Sequence, residues 1–265
     1  MRTRTLALCG IAGLVLSGFN TRVVAQGGAQ APPAPPVRML VTTTVIKSGS
    51  GVEYRSVIEK EGVPAFKKAG IPWRWVFQSG PLSGAGNTYI AVQPVTSLAQ
   101  FDDPPAIQRA LGQDGAAKYN AKLQPLIVGT HSILQTLIAA ASLQSFPSTP
   151  PPLVHVQTID LIAGKGGDFS NLIVQEYLPA LKKAGVTDYL VFAATYGGPG
   201  SRRSIVQYLS KYADLDQQNP IARAIGQEGA QKLNLKRTAL TQQAESAVYR
   251  LVPALSYGAP ARPQS

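Results

Sequence analysis

The chain has 265 residues, of which 45% are apolar, and a formal net charge of +11. That is enough apolar material for one large or two small packed domains, and it excludes a wholly disordered chain. Its only cysteine is Cys9; once the first segment is removed, disulfides, thiol catalysis and thiolate metal sites are excluded.

That first segment, residues 1–25, reads as a signal peptide. Arg2 and Arg4 form its basic start, Leu6 to Leu16 its apolar run, and Val23 and Ala25 the small residues of a cleavage site after Ala25. The run is too short to span a bilayer comfortably, and Leu8 ahead of Cys9 lacks the small residue of a lipoprotein signal. The reading predicts export, periplasmic or extracellular, with no transmembrane segment left afterwards. Loss of Arg2, Arg4 and Arg22 lowers the net charge from +11 to +8. The remaining bases come in scattered pairs such as Lys67-Lys68 and Lys236-Arg237, so no specific nucleic-acid partner is expected. A basic protein associated with the envelope is one function class left open.

Residues 26–36 form a proline-rich, extended spacer. Val37 to Lys47 is rich in Val, Thr and Ile and predicts a strand. Val52 to Ala69 has helical spacing, with a kink or restart at Pro64 and a stop at Gly70. Trp73 to Gln78 and Thr88 to Val92 predict a hairpin. Asp103-Pro104 reads as N-cap and first residue of a helix. Gly112 and Gly115 interrupt that helix, so a second one follows, capped by Gln113 or Asp114. Ser132 to Ile138 predicts a last strand. The unit, residues 37–144, is β-α-β-β-α-β.

After a linker at residues 145–152, residues 153–257 repeat this order. Arg109-Ala-Leu-Gly112-Gln-Asp-Gly115 returns as Arg223-Ala-Ile-Gly226-Gln-Glu-Gly229, 114 positions later. Pro179 stands where Pro64 stood, and Asn219-Pro220 where Asp103-Pro104 stood. The final strand is read at Ala247 to Val252. Residues 258–265 read as a short mobile tail. Retention of Arg109, Gly112, Gly115, Arg223, Gly226 and Gly229 in both copies favours a structural turn over a catalytic signature, because a pseudosymmetric pair needs the same turn twice.

Two such units resemble a tandem dimeric α+β barrel protein, closest in element order to the NIPSNAP and antibiotic-biosynthesis-monooxygenase group. The resemblance is carried by Pro72-Trp73-Arg74-Trp75, the segment from Tyr89 to Phe101 with Asp102, and the two copies of the Arg109-to-Lys118 phrase. It implies an α+β fold in which two ferredoxin-like sheets form an intramolecular barrel, the second sheet covering what would otherwise be an exposed apolar face. The superfamily holds cofactor-free monooxygenases, haem enzymes and proteins without known activity, so fold alone does not select a function.

No residues qualify as catalytic. Neither Gly164-Lys-Gly-Gly167 nor Gly197-Gly-Pro-Gly200 has the phosphate loop's lysine followed by Ser or Thr at the opening of a helix, and no Gly-x-Ser-x-Gly elbow occurs. The two histidines, His131 and His155, lack the paired carboxylates of a metal site. No cofactor is expected; a haem would need His155 as its axial ligand. The candidate ligand-binding residues are Arg74, Trp73, Tyr89, His155, Gln157, Tyr189 and Gln207. Trp75 and Phe77 are expected to pack on the helices. Arg74, on the opposite strand face, would then join Tyr189, Gln157, Gln207 and His155 on the barrel interior. The expected function is binding of a small apolar or aromatic molecule, or a partner, in the barrel cleft; a monooxygenase or haem enzyme is the alternative. A second copy of the chain is a further candidate partner.

Overall fold

The computed structural model describes residues 36–84, 86–143 and 146–260. The segment read as a signal peptide, with Cys9 and the cleavage site expected after Ala25, nearly all of the spacer and residues 261–265 lie outside the described residues. Within them the first half contributes β1 (Arg38–Ile46), β2 (Trp75–Ser79), β3 (Thr88–Pro94) and β4 (Ile127–Leu137); the second contributes β5 (Leu153–Leu161), β6 (Leu190–Tyr196), β7 (Arg202–Leu209) and β8 (Thr241–Leu251). The strand orders, β4-β1-β3-β2 and β8-β5-β7-β6, are the same pattern twice. Antiparallel pairing of β2 with β8 and of β4 with β6 closes the two sheets into one eight-stranded barrel. Both halves have the predicted β-α-β-β-α-β order.

The first helix of each half is continuous across its proline. In the first, α1 (Gly51–Val57) passes through a π-helical turn at Ile58–Gly62 into α2 (Val63–Lys68); in the second, α4 (Gly166–Leu172) passes through Ile173–Tyr177 into α5 (Leu178–Lys183). Pro64 and Pro179 lack the N–H of a regular turn, and their rings crowd the carbonyl four residues back. The wider turn relieves that conflict where the sequence predicts a kink. The second helices are α3 (Ala106–Leu123) and α6 (Pro220–Thr238). Each is broken at one residue, Gly112 (φ 73, ψ 174) and Gly226 (φ 78, ψ 166). The break therefore sits on the glycines themselves: α3 and α6 each consist of two helical pieces, as the sequence predicts, but the non-helical residue ahead of the second piece of α3 is Gly112 and not Gln113 or Asp114.

Asn219 caps α6 as predicted, its side chain accepting from Ile221 N at 2.9 Å. Asp103 does not cap α3, which begins at Ala106 after Pro105. The reason is the second proline: Pro105 disfavours helical backbone at Pro104, so the helix cannot start there. Strands β4 and β8 begin five or six residues earlier than predicted. Their first halves are exposed on both faces and are held by backbone pairing to β1 and β5, which leaves no apolar alternation in the sequence.

The core has three parts. Two lie between sheet and helices, one per half, around Ile46, Tyr54 and Val76 and around Ile159, Phe169 and Ile173. The third fills the barrel and contains Trp73, Trp75, Phe77, Leu190 and Phe192. This corrects the expected facing. Strand alternation separates Trp75 from Arg74 but does not say which face meets the helices. The barrel interior lies between two facing sheets, and large aromatic side chains fill that gap. The Arg74 face is the helix face.

Each half is also fastened to the other beyond its last strand. Tyr257 bridges Arg74, and Leu143 bridges Tyr189. Trp75 Nε1 donates to the Gly258 carbonyl at 3.0 Å. The expected loose tail is thus held at its start.

Candidate ligand-binding site

Between the sheet and helices of the second half lies a groove of about 560 Å3. Its floor is the helix face of β5 and β7, where His155 and Gln207 are direct cross-strand neighbours and Gln157 follows two residues on. Tyr189 lies at its inner end, buried among Leu181, Ile205 and Ile221. Four of the seven predicted ligand residues therefore line one groove: His155, Gln157, Tyr189 and Gln207. The other three stand elsewhere. Trp73 packs on Trp75 in the barrel core, ring centroids 5.0 Å apart. Tyr89 faces the first half's helices and meets Tyr54 at 4.8 Å. Arg74 lies in the first half's own sheet-to-helix layer, over the Phe66 ring. The expected single patch on the barrel interior is thus divided, because Arg74 and Tyr189 occupy equivalent places in different halves.

The groove carries two arginines. Arg237 of α6 reaches down to Gln157 Oε1 at 3.4 Å, donates to Asn234 Oδ1 at 3.0 Å, and lies 5.9 Å from the Tyr177 ring centre. Arg223, from the repeated phrase, also lines it. Its counterpart Arg109 donates to the carbonyls of Pro104 and Ala69, whereas Arg223 makes no such contact. Among the described residues neither Arg223 nor Arg237 has a carboxylate partner. The acids on the lining are occupied by backbone: Asp188 accepts from Tyr208 N at 2.7 Å, and Asp214 from Ser210 N and Lys211 N.

Burial pulls the His155 imidazole below its usual value, and the hydrogen bond with Gln207 opposes this only in part. His155 is therefore neutral at pH 7. Burial also raises the Tyr177 and Tyr189 hydroxyls, with Arg237 opposing in both cases. The site offers cations, amides and a neutral imidazole beside aromatic walls.

A second, smaller cavity of about 100 Å3 lies inside the barrel, walled by Trp75, Phe77, Phe146, Phe192, Tyr208 and Tyr249. Its polar feature is a buried pair across the two halves, Gln135 Nε2 donating to Ser204 Oγ at 2.9 Å.

No protein-family model matches the chain, and no curated protein matches it in sequence. Solved structures do. A candidate monooxygenase from Fusobacterium nucleatum aligns with 82% of this chain and 93% of its own, with a TM-score of 0.55 at 10% identity. An anthrone oxidase-like protein aligns with 82% and 91%, with a TM-score of 0.53 at 10% identity. A mutant chlorite dismutase from Candidatus Nitrospira defluvii aligns with 82% and 92%, with a TM-score of 0.51 at 11% identity. The fold is the dimeric α+β barrel. Within this barrel, both halves of the pseudodimer come from one chain, and the sheet-to-helix groove of the second half is larger than the cavity inside the barrel. Among the described residues, no helix is long and apolar enough to cross a membrane, and no three His, Cys, Asp or Glu residues group as metal ligands.

The sequence reading missed Arg223 and Arg237. Arg223 was hidden by the repeat, which suggests a structural role for both copies. Arg237 was hidden in a basic pair. The signal for it is a difference between halves: at the same repeat offset the first half has Leu123, which is buried.

Proposed function

We propose that the protein binds a small organic anion with an apolar or aromatic body in the groove of its second half. The observation that carries this is the pair Arg223 and Arg237, without carboxylate partners, above the His155–Gln207 floor. Guanidinium groups match carboxylate geometry and hold it by charge-assisted hydrogen bonds. Volume separates the two cavities: pockets for small organic ligands run from about 300 to 1,000 Å3, which favours the groove and not the barrel interior. Leu181, Ile221 and Tyr177 would receive the apolar body. The signal segment supports a further part of the reading, that the protein is exported and meets this ligand in the periplasm or outside the cell.

The test is calorimetric titration with 2-naphthoate and with neutral 2-naphthamide. The acid should bind and the amide should not, and Arg237→Met should weaken the acid at least about ten-fold, the loss expected for a charge-assisted pair. Equal binding of acid and amide would overturn the reading.

A second reading rests on the neutral His155 and on the barrels named as a candidate monooxygenase and as anthrone oxidase-like. His155 would take a proton from an acidic aromatic substrate, which then reacts with oxygen without a cofactor. Oxygen uptake with anthrone that disappears in His155→Gln would establish it. Haem would instead draw on His155 as ligand and on Arg223 and Arg237 as partners for its carboxylates. A haem absorption band in the purified protein would replace both readings.

A further inference from the structure

The first half has its own groove, of about 590 Å3, between its sheet and the start of α3. Arg74 enters it from just ahead of β2, with its guanidinium carbon 4.4 Å from the centre of the Phe66 ring. No described residue accepts a hydrogen bond from this side chain, and its Nε is buried without a partner. The titratable groups closest in charge are Tyr54, Tyr119 and Tyr257. They are neutral phenols whose hydroxyls burial raises further, so none supplies a counter-charge. The Tyr257 hydroxyl is itself buried and unpartnered. Asp103, on the groove's rim, is exposed and forms no ion pair. Arg109, beside it, is already held by the Pro104 and Ala69 carbonyls.

An unpaired guanidinium inside a fold is costly, because it gives up water without gaining an acceptor. The groove in front of the guanidinium has a fixed character. Phe66, Ile71, Phe101 and Ile107 make an apolar wall, while Gln93 and Gln100 stand at its polar side. A planar oxyanion would meet the guanidinium face to face, and an uncharged apolar body would lie on the phenylalanines.

We propose that this groove is a separate binding site for an amphipathic organic acid, with Arg74 as the receptor of its carboxylate. It is not a second copy of the site in the other half, where Tyr189 fills the place of Arg74 and the cations come from α6. It also does not rest on that site, and the experiment keeps the two apart.

The background is Arg223→Met/Arg237→Met, which removes both second-half cations. In this background, cyclohexanecarboxylate is titrated by calorimetry, with cyclohexanecarboxamide as the neutral control. The acid should bind at one site and the amide should not. Adding Arg74→Met should weaken the acid at least about ten-fold, and Arg74→Lys, which keeps the charge but loses the fork, should fall between. If Arg74→Met does not fold, Arg74→Lys decides: weaker acid binding supports the site and unchanged binding overturns it. Retained affinity in Arg74→Met, equal affinity for the amide, or no binding in the background also overturns it. Failure of the second-half site alone would leave this titration unchanged.

Discussion

Arg74 and Tyr189 stand at equivalent positions, and each is bridged to the chain that follows the last strand of the other half, Arg74 to Tyr257 and Tyr189 to Leu143. The exchange makes the two halves mutually dependent at both seams of the barrel. It also places Gly258 where a side chain cannot go. Gly258 has φ +66, and a Cβ there would run into the Pro72 carbonyl oxygen and meet Trp73 Cα at 2.9 Å. Gly258→Ala should cost about 2 kcal/mol, from strained backbone and lost closure, read from the urea midpoint. Ligand binding in the second half should persist at temperatures where the variant is folded.

The repeated phrase yields a paired test. Gly112 and Gly226 both have positive φ and open space around them, so alanine is penalised only by backbone conformation. Each substitution should cost about 1–2 kcal/mol. The two should add, since the sites lie in different halves. Gly115 differs: a Cβ there would meet Leu111 Cβ at 2.8 Å across the break, so Gly115→Ala loosens the junction of the two helical pieces. Denaturation curves of the single and double variants check this. Unchanged midpoints for Gly112→Ala and Gly226→Ala with loss of ligand binding would make the phrase functional after all.

Much of this architecture was readable from residues. The two copies of the phrase at a separation of 114 fix the duplication, and with it a shared order of elements along both halves and the second helix of each. The prolines at 64 and 179 mark the altered helical turn, and Asn219-Pro220 marks a helix start. What alternation could not supply was the absolute facing of the strands. Period two puts Trp75 and Arg74 on opposite sides whichever side is in. For that reason alternation groups His155, Gln157 and Gln207 with one another but does not tell the helix side from the barrel interior, and it does not separate Arg74 from the groove of the other half. Arg237 was legible only as a departure from the repeat, at a position where the first half has Leu123.

Acid stability should show two steps. Burial lowers the His155 pKa, so the unfolded chain binds its proton first as pH falls from about 6.5. Stability is then complete above that value and declines towards the lower folded value. Asp160 is held below the usual carboxylate range first by its hydrogen bond with Arg202, at 2.8 Å, and also by that residue's charge, with desolvation opposing. Its contribution is present above about pH 3.9 and disappears as pH falls through the depressed folded value. His155→Gln should flatten the first step and leave the second. Asp160→Asn should do the reverse and cost roughly 1 kcal/mol at neutral pH, as expected for a partly exposed pair. Urea midpoints across the acid range check both.

The last prediction concerns the barrel interior. Gln135 on β4 and Ser204 on β7 are 8% and 5% exposed, and their 2.9 Å hydrogen bond is a polar contact between halves in a cavity otherwise walled by aromatic and aliphatic side chains. Removing one partner leaves the other buried and unsatisfied, so Ser204→Ala should cost about 1–3 kcal/mol. Replacing both with apolar residues of similar shape removes the stranded group. The double variant Gln135→Leu/Ser204→Ala should therefore recover most of the loss, and a double-mutant cycle on urea midpoints measures the coupling. The same variant should leave naphthoate binding in the second-half groove unchanged, because Gln135 and Ser204 face the opposite side of the sheet from His155 and Gln207. A parallel loss of stability and groove binding would instead mean that the barrel interior and the groove respond as one unit.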